Sequence, residues 1–170
     1  MTSSRKTSLI AGILYLLTFI SIPTLSLYHA IHQADFISSQ APAADVVLGG
    51  MLELLMALCC IGTAVVLYPV LKKEQETLAL GFVAARVLEA SLIFVGVGAL
   101  LTILNLRSLG TEATVLSRGL VMFYDRIFLI SQSFIPAINA LLLGTCLYKM
   151  RLVPRTVSYT HLTLPTKRIV

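Results

Sequence analysis

Charged residues are scarce in this sequence: Asp, Glu, Lys and Arg make up 12% of its 170 residues, against about a quarter in an average soluble domain. Hydrophobic residues make up 57%, and the mean hydropathy is +0.90. A soluble globule of 18.5 kDa has more surface than 13 basic and 8 acidic side chains can cover. The composition therefore excludes a soluble globular protein and a disordered chain, and it predicts a protein whose main solvent is lipid.

Cysteine and catalytic motifs are equally sparse. The three cysteines, Cys59, Cys60 and Cys146, lie in apolar runs without the spacing of a zinc site or a redox pair. They exclude a disulfide scaffold and are typical of buried apolar residues. The sequence contains no phosphate-binding glycine loop, nucleophile elbow or His-Glu zinc motif. We expect no enzyme activity, no cofactor and no bound metal, since His29 and His32 also lack a third histidine or cysteine nearby.

Long apolar runs dominate what remains. A helix needs about 20 mainly apolar residues to cross about 30 Å of hydrocarbon. Four runs meet this requirement, and the first is too long for the apolar part of a signal peptide. The sequence therefore predicts an all-α, polytopic transmembrane helix bundle with four spanning helices, at about residues 9–28, 46–71, 78–106 and 120–148.

Loop length, proline and small residues indicate how these spans are arranged. The connection from Lys72 to Thr77 is short, which predicts that the second and third helices pack side by side and antiparallel. Pro136 lies inside the fourth run, where it should kink the helix. Small residues share the face of Glu53 on the second helix and should permit close helix packing. They are Gly49, Gly50, Ala57, Cys60 and Ala64.

Basic residues lie at the ends of the spans and not on one face, so the net charge of +5 does not indicate a nucleic-acid partner. Two of them, Arg107 and Arg118, lie on the side opposite the N terminus. Seven lie on the side of the N terminus: Arg5, Lys6, Lys72, Lys73, Lys149, Arg151 and Arg155. This imbalance predicts a cytoplasmic N terminus, and it places the loop from His29 to Asp45, which contains Asp35, outside.

Six polar or charged side chains within the predicted spans are candidates for an intramembrane network: Glu53, Arg86, Glu89, Asp125, Gln132 and Asn139. A charge in lipid is costly, so these groups should face protein or water. Arg86 and Glu89 are three residues apart on one helix and can neutralise each other. Glu53 reaches a similar depth on the neighbouring helix. Asp125, Gln132 and Asn139 follow at steps of seven, which predicts one inward-facing polar stripe.

Two interpretations of this network stay open. The network is structural if Glu53, Arg86 and Glu89 form a buried ion-pair network that fixes the helix register, with Gln132 and Asn139 as hydrogen-bonding partners. It is a functional site if the carboxylates serve a small proton-coupled or solute transporter. Water distinguishes the two, because a carrier needs an aqueous path to a carboxylate and a structural network should be dry and fully paired.

The lipid bilayer is the partner that the composition predicts. Pairs of small residues four positions apart favour packing within the bundle over oligomerisation. The pairs are Ser8 with Gly12, Gly81 with Ala85, and Ala140 with Gly144. Association with a second copy or with another membrane protein stays open.

Several stretches of the chain resemble one family. The most specific is Gly81-Phe-Val-Ala-Ala-Arg86-Val-Leu-Glu89-Ala, in which Arg and Glu stand three residues apart in apolar sequence. The stretches that begin at Leu9 and Gly62 are also similar. From Ser8 to about Arg155 the chain resembles the bacterial membrane proteins of domain-of-unknown-function family 4386. The resemblance implies an inner-membrane protein without assigned activity, from a family with six helices of which this chain would hold four.

The end of the chain has a different composition. Residues Val157 to Val170 are rich in threonine where a fifth helix would follow, and they resemble translated sequencing-adapter read-through. We therefore expect a membrane domain over residues 1–155 and a non-native or disordered tail over residues 156–170. The remaining helices of the family would then be missing.

Overall fold

The structure, a computed structural model, describes residues 3–33, 36–39, 42–73 and 75–150. Within these ranges the chain is helical and contains no β-strand, which confirms the all-α prediction for this part of the chain. The α-helices are α1 Ser3–Thr18, α2 Thr24–Leu27, α3 Ala43–Leu71, α4 Glu76–Leu106, α5 Thr114–Leu129 and α6 Ile135–Lys149. The predictions for Asp35, Arg151, Arg155 and the Val157 to Val170 tail lie outside the described residues.

The first predicted helix, over residues 9–28, is divided in the structure. Helix α1 begins earlier, at Ser3, and ends at Thr18. A 3-10 turn over Phe19–Ser21 and the short helix α2 follow it. Pro23 stands immediately before α2, and its missing N–H and its ring disfavour a continuous α-helix at this point.

Helices α3 and α4 form an antiparallel hairpin around the turn at Lys72 and Lys73, and they pack against each other. They begin three and two residues before the predicted starts, and end at the predicted residues. The small residues on the Glu53 face are all buried in the structure: Gly49, Gly50, Ala57, Cys60 and Ala64. Their size permits the close approach of neighbouring helices that the sequence predicts.

Two helical stretches are long and apolar enough to cross a membrane, Ala43–Leu71 and Glu76–Lys149. The second stretch reverses direction after α4, because Gly110 adopts φ 65° and ψ −151°, a conformation that glycine reaches without steric cost. Helices α5 and α6 then return along α4 and pack against it. The reversal divides the 74-residue stretch into two antiparallel arms.

The second of these arms contains a π-helical turn, Ile130–Phe134, between α5 and α6. Pro136 follows two residues later, and its ring would collide with the carbonyl of residue 132 in a regular α-helix. The wider turn accommodates the proline without ending the helical arm. The fourth predicted helix begins at Thr114, earlier than the predicted residue 120. Its irregularity lies just before the proline, at the π-helical turn.

Apolar clusters pack on both sides of the polar residues of the hairpin. One cluster, near the N-terminal end of α3, includes Tyr28, Val46, Leu100 and Tyr124. Another lies near the Lys72 turn and includes Leu71, Ala79 and Phe82. The polar side chains Glu53, Arg86 and Glu89 lie between these two clusters along the helices and are buried.

Candidate functional site

Two buried carboxylates form the centre of the candidate site. Glu53 of α3 and Glu89 of α4 are each 1% exposed. Each of them accepts hydrogen bonds from the arm formed by α5, the π-helical turn and α6. The site therefore depends on the packing of the hairpin against this arm.

Glu89 is paired with Arg86. Arg86 Nη1 donates to Glu89 Oε2 at 2.9 Å and also lies 3.4 Å from the Sγ of Cys60. Asn139 Nδ2 donates to the same oxygen, Glu89 Oε2, at 2.5 Å. The guanidinium carbon lies 4.9 Å from the centre of the Tyr15 ring, a cation-π distance. These contacts join α1, α3, α4 and α6 at one ion pair.

Glu53 lies in a second hydrogen-bonded group. Tyr124 Oη donates to Glu53 Oε1 at 2.5 Å, and Gln132 Nε2 donates to the same oxygen at 3.4 Å. The ring of Tyr124 also packs edge-on against that of Tyr28, with 5.5 Å between the ring centres. This group joins α3 to α5 and to the π-helical turn.

The structure places five of the six candidate residues at these two groups and the sixth elsewhere. Arg86, Glu89 and Asn139 form the first group, and Glu53 and Gln132 belong to the second. Asp125 faces away from both: its side chain is 46% exposed and lies 3.1 Å from His32. The predicted stripe of Asp125, Gln132 and Asn139 therefore does not form one face.

The π-helical turn explains this difference. Residues seven apart share a face only in a continuous α-helix of 3.6 residues per turn. A π-helical turn accommodates about one extra residue, which rotates the preceding helix by about 100° relative to the following one. Tyr124 is thereby brought to the interior in place of Asp125. Sequence reasoning missed Tyr124, and the one signal for it was the proline at position 136.

A cavity of about 390 Å³ adjoins the first group. Its polar lining comes from Tyr15, Thr18, Arg86, Glu89, Gln132 and Asn139. Two buried atoms of these side chains, Arg86 Nε and Asn139 Oδ1, make no hydrogen bond with the described part of the chain. The site thus combines an ion pair with one unused donor and one unused acceptor.

The sequence of residues 10–163 matches the family model described as "Domain of unknown function (DUF4386)". The chain belongs to this family. The match confirms the resemblance carried by the Arg86 and Glu89 stretch, and it extends past Arg155 into the Val157 to Val170 segment. Neither a curated protein nor a solved structure matches the chain. The DUF4386 family description names no activity, so function has to be argued from the site.

Metal binding has no candidate ligand set in this DUF4386 protein within the described ranges. No three His, Cys, Asp or Glu side chains gather there in positions that could hold an ion. His32 contacts Asp125, and His29 lies 3.4 Å from the amide of Gln33. The two histidines thus take part in separate polar contacts.

His32 and Asp125 join the segment after α2 to helix α5. His32 Nδ1 lies 2.9 Å from the carbonyl oxygen of Tyr28, and His32 Nε2 lies 3.1 Å from Asp125 Oδ1. A carbonyl and a carboxylate oxygen both accept, so the doubly protonated imidazolium satisfies both contacts. Burial acts to lower the pKa of His32, but the hydrogen bonds to Tyr28 and Asp125 together raise it above its ordinary value.

This contact predicts a pH-dependent stability. Because the folded-state pKa of His32 is raised, its stabilisation is complete below the ordinary pKa of 6.5 and is lost as the pH rises through the raised value. Asp125→Asn should therefore lower the Tm more in acidic than in alkaline buffer, and His29→Gln should not reproduce this difference. A Tm difference independent of pH would contradict the prediction.

The two buried tyrosines give a matched pair of substitutions. Tyr124→Phe removes the short donor to Glu53 and should lower the free energy of unfolding by about 1 to 2 kcal/mol. Tyr28→Phe should be neutral or stabilising, because the Tyr28 hydroxyl is buried without a partner among the described residues. Denaturant titration in detergent measures both. Equal losses would show that the bond between Tyr124 and Glu53 contributes nothing.

Proposed function

We propose that this DUF4386 chain is a bacterial inner-membrane protein that crosses the membrane four times, with the N terminus in the cytoplasm. Its buried polar residues act structurally in this proposal, by fixing the register of the helices. The spans are α1 with the turn that follows it, α3, α4, and the arm that contains α5 and α6.

The distribution of exposure carries this proposal. Large apolar side chains on every proposed span are more than half exposed: Leu16, Val65, Leu80, Leu88, Met122, Phe134 and Leu141. The charged residues Glu53, Arg86 and Glu89 are between 1% and 4% exposed. An apolar surface around a charged interior is unfavourable in water and suits a lipid solvent.

The hydrogen bonds of the site support the structural role. Glu53 of α3 accepts from Tyr124 of α5, and Glu89 of α4 accepts from Asn139 of α6. A shift of α3 or α4 along its axis, relative to α5 and α6, would leave a buried carboxylate without its donor. Because uncompensated buried charges are costly, such bonds favour one register over its alternatives.

A small proton-coupled or solute transporter is the second candidate function. The cavity beside Arg86 and Glu89 favours it, because a carrier needs a path that reaches an ionisable group within the membrane. Arg86 Nε and Asn139 Oδ1, which are unpaired among the described residues, also favour it over a fully paired structural network. Flux in proteoliposomes that disappears in the Glu89→Gln variant, with folding retained, would favour transport over the structural role.

Cysteine labelling tests the proposed topology. The native cysteines are buried, so they provide a low background, and Asp45 and Lys73 are exposed. A membrane-impermeant maleimide should label Asp45→Cys in intact cells, and Lys73→Cys after the membrane is opened. Labelling of Asp45→Cys from the cytoplasmic side alone would contradict the proposed orientation.

A further inference from the structure

One end of the helix bundle carries most of the exposed positive charge that the structure describes. The exposed basic side chains there belong to the start of α1, the turn between α3 and α4, and the end of α6: Arg5, Lys6, Lys72, Lys73 and Lys149. In the described ranges none of them forms an ion pair. Glu76 is the acidic residue described at this end, and Glu74 lies outside the described residues. Positive charges therefore outnumber negative ones by five to two even when both are counted.

The end of α6 lies against the turn between α3 and α4. Lys149 Nζ donates to Gln75 Oε1 at 3.3 Å. Cys146 of α6 belongs to the same apolar cluster as Leu71 at the end of α3 and Ala79 near the start of α4. The lysines of the turn and of α6 therefore share one end of the bundle.

Helix α1 begins at the same level. Gly62 of α3 packs against Leu14 of α1, and Gly49 packs against Tyr28, so α1 and α3 run antiparallel. Arg5 stands nine residues before Leu14, and α3 ends nine residues after Gly62. At 1.5 Å per residue, both points lie about 14 Å from the contact between the two helices. The basic residues of α1 are therefore level with the lysines of the turn.

Exposed apolar side chains adjoin these charges. Leu9 of α1, Leu80 of α4 and Tyr148 of α6 are each more than half exposed, and they lie within about two turns of the charged end. Lys72 Nζ lies 5.4 Å from the centre of the Tyr68 ring, so an aromatic side chain also stands at this level. A phospholipid has the same division, with a charged phosphate beside apolar chains.

The opposite end of the bundle has no such excess of charge. Among the residues described there, Asp45 and Glu112 balance Arg107 and Arg118. Basic residues near a membrane surface attract anionic lipids, and a balanced set does not. The asymmetry therefore restricts the attraction to one end.

We propose that the basic end of the bundle is a docking surface for anionic phospholipid headgroups, centred on Lys72, Lys73 and Lys149. The lysine ammonium groups donate to the phosphate oxygens, and the acyl chains lie along the exposed apolar faces of α1 and α4. An acidic protein fits less well, because apolar side chains adjoin the charges. The inference rests on the proposed membrane location and does not require the proposed orientation.

Competition between two lipids tests the docking surface on the unmodified protein. The protein in dodecyl maltoside is mixed with equal concentrations of phosphatidylglycerol and phosphatidylcholine that carry the same acyl chains. Native mass spectrometry then measures the lipids that remain bound. The parent should bind phosphatidylglycerol at least about fivefold more than phosphatidylcholine, the ratio that corresponds to about 1 kcal/mol for one lysine near a lipid phosphate.

Two double variants test the position of the surface. Lys73→Gln with Lys149→Gln should reduce this preference to below about twofold. Arg118→Gln with Arg126→Gln removes two exposed cations elsewhere and should keep the preference of the parent. All four positions are exposed, and the Tm of each variant in detergent checks that it is folded.

Equal binding of the two lipids by the parent would overturn the proposal in favour of water or an acidic protein partner at this end. It is also overturned if the lysine variant keeps the preference, or if the arginine variant loses it equally. Alkaline carbonate extraction of cell membranes separates this inference from the proposed function. A chain that is extracted refutes both, whereas a retained chain that binds the two lipids alike refutes the docking surface alone.

Discussion

Arg86→Ala should lower the free energy of unfolding by about 3 to 5 kcal/mol, because it leaves Glu89 buried without its counter-ion. Glu89 is 1% exposed, so the guanidinium is its nearest source of charge compensation. The loss of the Arg86 contact with the Tyr15 ring adds to this cost. Arg126→Ala, at an exposed position of α5, is the control and should stay within about 0.5 kcal/mol of the parent.

The double variant Arg86→Leu with Glu89→Leu should recover much of this loss. Apolar replacement of a complete buried ion pair is often neutral, although Asn139 Nδ2 would lose its acceptor. Denaturant titrations of the single and double variants in detergent give the coupling energy. If all of them are as stable as the parent, Arg86 and Glu89 do not act as a buried pair, and the structural role proposed for them fails.

Much of the helical framework can be predicted from local sequence. The long apolar runs and the short connection at Lys72 predict the hairpin of α3 and α4, whose ends the structure places within three residues of the prediction. The spacing of Arg86 and Glu89 predicts their contact, because residues three apart on a helix are neighbours. These features depend on residues that are close in sequence.

The sequence predicts Gln132 as a partner in this network, but Tyr124, the other partner of Glu53, could not be predicted in the same way. A continuous α-helix places Asp125 on the face of Asn139, and the π-helical turn at Ile130–Phe134 brings Tyr124 there instead. Periodicity assumes a constant number of residues per turn, so one wider turn changes every later assignment. The division of the first span at Pro23 has a similar origin, since it breaks a run that is uniformly apolar in composition.

Gly49 of α3 packs directly against the ring of Tyr28, in the segment that follows α2. A Cβ at this position would overlap Cε1 of the Tyr28 ring and lie 2.7 Å from its Cζ. The ring is 2% exposed and packs against Tyr124, so it cannot move aside without disturbing the donor to Glu53. The absence of a side chain at Gly49 therefore positions the second hydrogen-bonded group of the site.

Gly49→Ala should lower the free energy of unfolding by about 2 to 3 kcal/mol, the upper part of the range for overpacking, although alanine favours a helix more than glycine. Gly50→Ala is the matched control. Its Cβ would meet Val97 at 3.4 Å, an ordinary contact, so it should be neutral or stabilising by up to about 1 kcal/mol.

A second substitution identifies the cause of the loss. Tyr28→Leu removes the ring atoms that the new Cβ would meet, so it should cost less in the Gly49→Ala background than in the parent. Thermal unfolding in detergent of the two single variants and the double variant measures this coupling. Because the clash is specific to one glycine of an adjacent pair, equal stabilities of Gly49→Ala and Gly50→Ala would rule out the contact between Tyr28 and α3.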